Sequence, residues 1–269
     1  VHLKSKEIGV NSINKFFNLK NISSLKNSFG KFDVISGANV FCHIPNQIDL
    51  IKSIDKLLSK NGTLILEEPY LGAMYEKTSY DQIYDEHIYM FSLSSIQKLY
   101  DLFGFELIDA LPQKTHGGSM RYIIKRKNIT KKTTRLLKLL KFERNKKIDK
   151  FSACLSFKKK VIMSKKLLRD KILKILSSKN KICGYGATSK STTILNYCKI
   201  NKNMLDCIYD TTKNKIGKLT PGTHIPVLNY KLFKNSSYKY VFLFAWNHKS
   251  EILKKEKNKK NIIWFNHLN

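Results

Sequence analysis

The stretch KICGYGATSKSTTILNYCKINKNMLDCIYD, residues 181–210, constrains the fold more than any other part of the chain. An apolar run (KICGYGA) enters a glycine turn, a helix-like segment (TSKSTTILNYCK) follows, and a second apolar run (MLDCIYD) ends on Asp210. Strand, crossover helix and strand in that order predict neighbouring parallel strands. The loop KIGKLTPGTHIPV, a helix, the strand YKYVFLFAW, a short helix and the strand NIIWF come next. The alternation predicts a parallel, doubly wound α/β sheet.

Residues 33–127 repeat the theme. DVISGANVF reads as a strand, and residues 46–60 as a helix with Ile48, Ile51, Ile54, Leu57 and Leu58 at helical spacing, stopping at Asn61-Gly62. TLILEEP is a strand ended by Pro69. A helix over 92–103 has Ser92 at its N-cap and Gly104 at its C-cap, and FELIDAL and SMRYIIKR are further strands. Residues 128–178 are lysine-rich, lack Gly and Pro, and predict one or two long helices. The expected organisation is an α/β domain over 1–127, connecting helices over 128–178 and a second Rossmann-like domain over 179–269.

Hydrophobic residues make up 42% of the 269 positions, enough to bury a core. The longest apolar run, YVFLFAW at 240–246, is far short of a membrane span, and the opening VHLKSKEIGV holds no apolar signal region, so a cytoplasmic protein without membrane contact is expected. Five cysteines without a C-x-x-C pair argue against a disulfide framework and against a structural metal site. The net charge of +30 comes almost entirely from lysine, alongside abundant asparagine and isoleucine. The basic runs KRKNITKKTTR and KKEKNKKN carry no regularly interleaved aromatics, so they read as solvated faces rather than a nucleic-acid footprint.

Four stretches carry candidate chemistry. In GYGATSK, Gly184 and Gly186 allow a close backbone approach to phosphate, Tyr185 lies between them, and the following helix start offers free N–H groups; Lys190 adds charge, while Ser189 replaces the third glycine of a dinucleotide fingerprint. Asp210 closes the next strand, where an acid would hold a ribose hydroxyl. THGGSMR, with His116, Gly117, Gly118, Ser119 and Arg121, suits either an anion-binding backbone nest or a plain hairpin. PGTHIP presents His224 on a rigid loop. YDQIYDEH, residues 80–87, follows the strand TLILEEP at the end where open α/β sheets keep their chemistry. There Tyr84 and His87 fall three apart, on one face of a helical turn, and Glu86 adjoins His87 to orient it or share its proton, a histidine–carboxylate pair suited to proton abstraction.

NVFCHI (39–44), EEPY (67–70), YDQIYDEH, THGGSMR, GYGATSKSTTILNYC and PGTHIP, in this order, resemble the sugar C-methyltransferases. These enzymes use S-adenosylmethionine to methylate a carbon beside the ketone of a nucleotide-linked keto-deoxysugar. The resemblance runs from about Gly9 to the end. It implies part of a class I methyltransferase domain followed by a Rossmann-like domain, with a dTDP- or GDP-linked keto sugar as partner. It further implies Tyr84, Glu86 and His87 as the active-site cluster with His87 as base, Asn39 and His43 near S-adenosylmethionine, and the loops at 115–121 and 184–190 on sugar diphosphate and nucleotide.

The departure from that family lies at the N-terminus. No cysteine precedes Cys42 and no glycine-rich loop precedes Asp33, whereas the family opens with a cysteine-liganded zinc domain and a glycine-rich cofactor loop. The expectations are therefore a chain without a metal site, an incomplete first sheet with exposed apolar edges, and a sequence that is a fragment, an alternative start or one piece of a split gene, the last with a separate N-terminal fragment as partner. Two other classes stay open: a non-catalytic nucleotide-sugar-binding partner, and an NAD-dependent oxidoreductase using GYGATSK and Asp210.

Overall fold

The computed structural model describes residues 2–268. The chain divides into two compact units, neither continuous in sequence. The first runs through Pro69 and adds Phe91–Gln113 and Met120–Glu143; the second holds Tyr70–Met90, Lys114–Ser119 and the chain from Arg144 onward. Their outlines differ from the sequence blocks 1–127, 128–178 and 179–269. Segments 70–90 and 114–119 group with the later half because their contacts, unlike their chain neighbours, lie there.

The first unit opens with α1 (His2–Glu7) and α2 (Leu19–Phe29) and is built on the strands β1 (Phe32–Ala38), β2 (Leu58–Pro69), β3 (Phe105–Gln113) and β4 (Ser119–Arg126), in the order β1-β2-β4-β3. β1 pairs parallel with β2, and α3 (Gln47–Leu57) crosses between them. Of the residues at the predicted spacing, Ile51, Ile54 and Leu57 are buried in the helix, whereas Ile48 is exposed and Leu58 begins β2. Asn46 caps this helix by accepting the Asp49 N–H at 3.0 Å. The helix nevertheless stops at Leu57, and Asn61-Gly62 lies inside β2 rather than at a helix cap. Phe32 pairs with Leu58 but Val34 with Thr63, so residues 59–62 bulge opposite Asp33. The turn-forming Asn-Gly pair is spent on that bulge. β1 is an edge strand, with Phe32 38% and Val34 57% exposed.

α5 (Leu93–Asp101) starts as expected at Ser92, whose hydroxyl accepts the Ser95 N–H at 3.0 Å in a reciprocal capping box. Its N-terminus also meets Glu143 of α6 (Thr134–Lys146). That carboxylate, 2% exposed, accepts the N–H groups of Leu93 (2.6 Å) and Ser94 (3.0 Å).

In the second unit, α4 (Leu71–Lys77) lies ahead of the YDQIYDEH segment, and α7 (Phe151–Ser177) is a 27-residue helix burying Leu168, Ile172 and Ile175. The sheet consists of β5 (Ile182–Tyr185), β6 (Ile208–Asp210), β7 (Val227–Asn229), β8 (Tyr240–Leu243) and β9 (Ile263–Phe265). Every pairing is parallel and the order is β7-β6-β5-β8-β9, the doubly wound arrangement predicted. β7 falls within and just after the stretch read from sequence as loop, and it pairs parallel with β6 as an edge strand. α8 (Ser189–Tyr197), α9 (Tyr230–Phe233) and α10 (Lys249–Lys255) complete the unit. Strand order reverses direction between β5 and β8, so the crevice at their carboxyl ends is the switch point of this sheet. Among the described residues no helix is long and apolar enough to cross a membrane.

Candidate functional site

The YDQIYDEH segment is not a helical face. A short 3-10 turn spans Tyr80–Gln82, and the His87 N–H then closes a separate turn on the Tyr84 carbonyl at 2.9 Å. That turn brings the Tyr84 hydroxyl within 2.9 Å of His87 Nε2 and places the rings 4.1 Å apart. His87 Nδ1 lies 2.8 Å from the Gln82 carbonyl oxygen. A carbonyl only accepts, so this contact selects the tautomer protonated at Nδ1 and leaves a lone pair on Nε2, toward the Tyr84 hydroxyl. Glu86 is exposed. Tyr84, Asp85 and Glu86 line a cavity of about 470 Å³ together with Ser189, Thr192 and Asn196 of α8. Its wall of hydroxyls, an amide, two phenols and two carboxylates suits a polyhydroxylated ligand.

The residues of GYGATSK separate into different roles. Gly186, with φ of +90°, makes the turn, and an added Cβ would stand 3.0 Å from Cβ of Ala245, just beyond β8. Gly184 lies within β5, where a Cβ would be 2.8 Å from Phe244 and 2.9 Å from Ile208, so its smallness serves sheet packing. Tyr185 is buried and donates to Glu256 at 3.0 Å; burial and that carboxylate push its phenol well above the ordinary range. Lys190, 8% exposed, turns into the protein, donates to the His116 carbonyl at 3.2 Å and stands over the Trp246 ring. Burial holds its ammonium pKa below the usual lysine value, partly offset by Asp81.

Asp210 accepts the Ala187 N–H at 2.7 Å and the Thr212 N–H at 2.7 Å. Both carboxylate oxygens thus staple the glycine turn to the end of β6. A second cavity of about 340 Å³ opens beside that turn, lined in part by Thr188, Ser191, Lys215 and Lys218, and it shares Ser189 and Thr192 with the first. His224 is exposed in a turn at φ +53°, and its N–H reaches the Thr220 carbonyl at 3.0 Å.

In the 115–119 loop, His116 is exposed at φ +52°, while Gly117 and Gly118 are buried. A Cβ on Gly117 would fall 2.1 Å from the Trp246 ring, and one on Gly118 would fall 2.5 Å from Cβ of Ala73. The Gly117 carbonyl accepts from Lys77, and Ser119 Oγ donates back to the Thr115 carbonyl at 3.2 Å. Close packing accounts for both glycines here, and Ser119 closes the loop.

In the first unit, Arg121 on β4 is paired with Glu67, its Nε at 3.0 Å and its guanidinium NH2 at 2.7 Å from Oε2. Asn39, just past β1, adopts φ +54° and donates its N–H to the Glu67 carbonyl at 2.7 Å. Its side-chain Oδ1 is buried with no hydrogen-bond partner among the described residues. His43, half-buried, ends the 3-10 turn Phe41–His43. Glu68, fully buried, accepts the N–H groups of Val40 (3.1 Å), Phe41 (2.9 Å) and Cys42 (3.3 Å), so one carboxylate shapes the loop carrying Asn39 and His43. Burial and Glu68 push the Cys42 thiol far up.

Residues 114–263 match the family described as C-methyltransferase C-terminal domain, more than half of the 269-residue chain. The chain belongs to that family. Residues 5–110 match a methyltransferase domain family. The chain is similar to C-methyltransferase NovU of Streptomyces niveus, 26% identical over 251 residues, which is 93% of this chain and 60% of that protein. It therefore spans less than two thirds of that relative's length. A solved structure, a SAM-dependent methyltransferase from Anabaena variabilis, is similar at 16% identity over 46% of this chain and 64% of that one, with a TM-score of 0.34.

The sequence drew attention to Glu68 and Asp81 only as neighbours of other motif residues. Both are fully buried carboxylates with N–H partners far along the chain. An acidic residue inside a run otherwise destined for burial was the available signal, since such a group persists only when paired.

Proposed function

We propose that this C-methyltransferase family member transfers a methyl group from S-adenosylmethionine to a carbon adjacent to the ketone of a nucleotide-linked keto-deoxysugar. The observation that carries the reading is the His87 imidazole, with Nδ1 on a carbonyl and Nε2 facing the hydroxyl of Tyr84, a residue that lines a polar cavity with Ser189, Thr192 and Asn196. Nε2 accepts the proton of the C–H next to the ketone, leaving an enolate. The Tyr84 hydroxyl donates to the enolate oxygen as negative charge develops there. Alignment of base and donor on one short turn supplies their orientation in advance. His87 then returns its proton to solvent.

When bound, S-adenosylmethionine would supply an electrophilic methyl group to the enolate carbon, its sulfur keeping the bonding electron pair. Asn39 and His43 are the residues assigned to it; the buried, unpartnered Oδ1 of Asn39 offers an acceptor for a donor group of that ligand. The keto sugar belongs in the cavity by Tyr84 and Glu86. The sugar diphosphate and nucleotide are assigned to the neighbouring cavity with Lys215 and Lys218, along the 184–190 turn.

The test is methyl transfer from radiolabelled S-adenosylmethionine to a panel of dTDP- and GDP-linked keto sugars, paired with calorimetric titration of each ligand. Transfer lost in His87→Ala with nucleotide-sugar affinity retained supports the reading. Nucleotide-sugar binding without S-adenosylmethionine binding or transfer would replace it with a binding role.

A further inference from the structure

Asp81 is fully buried, yet it takes no part in the chemistry assigned to its neighbours Tyr84, Glu86 and His87. Its Oδ2 accepts the Trp246 Nε1–H at 2.6 Å, and its Oδ1 lies 3.1 Å from His267 Nε2. Both partners are remote in sequence and stand just past the carboxyl ends of strands, Trp246 after β8 and His267 after β9. A buried carboxylate is tolerated only when its oxygens are satisfied by donors, and loss of one donor exposes a large desolvation penalty. The carboxylate therefore ties the 3-10 turn Tyr80–Gln82 to the switch-point end of the second unit's sheet.

His267 is itself buried, and its Nδ1 has no partner among the described residues. Nε2 is the nitrogen that carries a hydrogen toward Asp81, because a carboxylate oxygen only accepts. The ammonium of Lys190, stacked on the same Trp246 ring, provides the nearby positive charge.

What Asp81 fixes is the peptide that follows it. The Gln82 carbonyl is the acceptor for His87 Nδ1 at 2.8 Å, and the Gln82 side-chain amide is itself held on Ser79 Oγ at 2.9 Å. We propose that Asp81 is a positioning residue for His87: anchored by Trp246 and His267, it aims the Gln82 carbonyl so that the imidazole is protonated on Nδ1 and presents Nε2 as the proton acceptor. This rests on the reading of His87 as the base. A backbone carbonyl here orients the imidazole as a carboxylate does in a catalytic triad, and the carboxylate acts one step further back.

The experiment is long-range proton–nitrogen NMR of the 15N-labelled chain, which reads each histidine tautomer without needing turnover. In the unsubstituted chain His87 is expected almost wholly protonated on Nδ1. Asp81→Asn turns one N–H acceptor into a donor facing Trp246 or His267, and the Nδ1–H to Nε2–H ratio of His87 is expected to fall at least about fivefold. Trp246→Phe removes a single bond and is expected to move the ratio the same way by a smaller factor; it decides the matter should Asp81→Asn not fold. An unchanged tautomer in a folded variant whose remaining indole or His267 signals have shifted would overturn the positioning role. So would loss of methyl transfer in Asp81→Asn with the His87 tautomer intact. Transfer surviving His87→Ala would sink the base assignment alone and leave the tautomer result standing.

Discussion

The Tyr84 hydroxyl lies 2.9 Å from Nε2 of His87, on a turn that the His87 N–H itself closes onto the Tyr84 carbonyl. One residue thus supplies both the backbone acceptor that shapes the turn and the side-chain donor facing the imidazole. Tyr84→Phe keeps the turn and removes only the donor. Turnover is expected to fall about a hundredfold, the cost of deleting one oxyanion donor, with KM for the nucleotide sugar changed less than about threefold. Steady-state kinetics on both substrates check this, and an unchanged kcat would remove Tyr84 from the mechanism.

Glu143 accepts the N–H groups of Leu93 and Ser94 and the Ser94 hydroxyl at 2.9 Å while nearly fully buried. Glu143→Ala strands three donors at the start of α5. A loss of about 3 kcal/mol is expected from orphaned donors and a vacated volume. Urea unfolding of both proteins at equal ionic strength measures it; a difference below about 1 kcal/mol would show that water replaces the carboxylate.

Asp109 is mostly buried, which raises its pKa, but bonds from Arg135, Thr133 (2.6 Å) and its neighbour Ala110 outweigh burial and hold the carboxyl below the usual aspartate value. A folded value below the unfolded one of about 3.9 means that the contribution is complete above that pH. It is lost as pH falls through the folded value. Stability of the unsubstituted chain should therefore drop below about pH 4 more steeply than that of Asp109→Asn, while the variant is the less stable at pH 7. Urea midpoints from pH 2.5 to 7 test the sign, and parallel curves would contradict it.

Gly117 combines φ of +86° with a Trp246 ring atom 2.1 Å from where a Cβ would stand. Gly117→Ala has no rotamer escape, since the clash involves the first side-chain atom. Destabilisation of about 2 kcal/mol or more is expected, with a shift in indole fluorescence as Trp246 moves off Asp81. A variant of native stability and native emission spectrum would mean that the loop re-forms elsewhere.

Much of the architecture was legible in the residues because local rules decide it. Ser92 begins α5, the apolar spacing of Ile51, Ile54 and Leu57 marks the buried face of α3, and strand–helix alternation after residue 181 predicts the parallel sheet that is found. Asn61-Gly62 misled for an equally local reason: a turn pair serves a helix stop and a β-bulge alike, and the register between β1 and β2 chooses. In the candidate site, Tyr84 and His87 come together as their spacing suggested, though through a turn rather than a helix.

The sequence by itself determined most of the strand–helix alternation, the turn glycine Gly186 and the motif carrying His87, because propensity, capping and chemical type act within a few residues. Only the tertiary structure decided where the buried charges go. Asp210 staples a turn instead of facing outward, Lys190 is drawn in over Trp246, Glu68 gathers three N–H groups, and Asp81 finds Trp246 and His267 across more than 160 residues. A buried charge must be matched by whatever donors the fold brings within about 3 Å, and that match is a property of packing between remote segments.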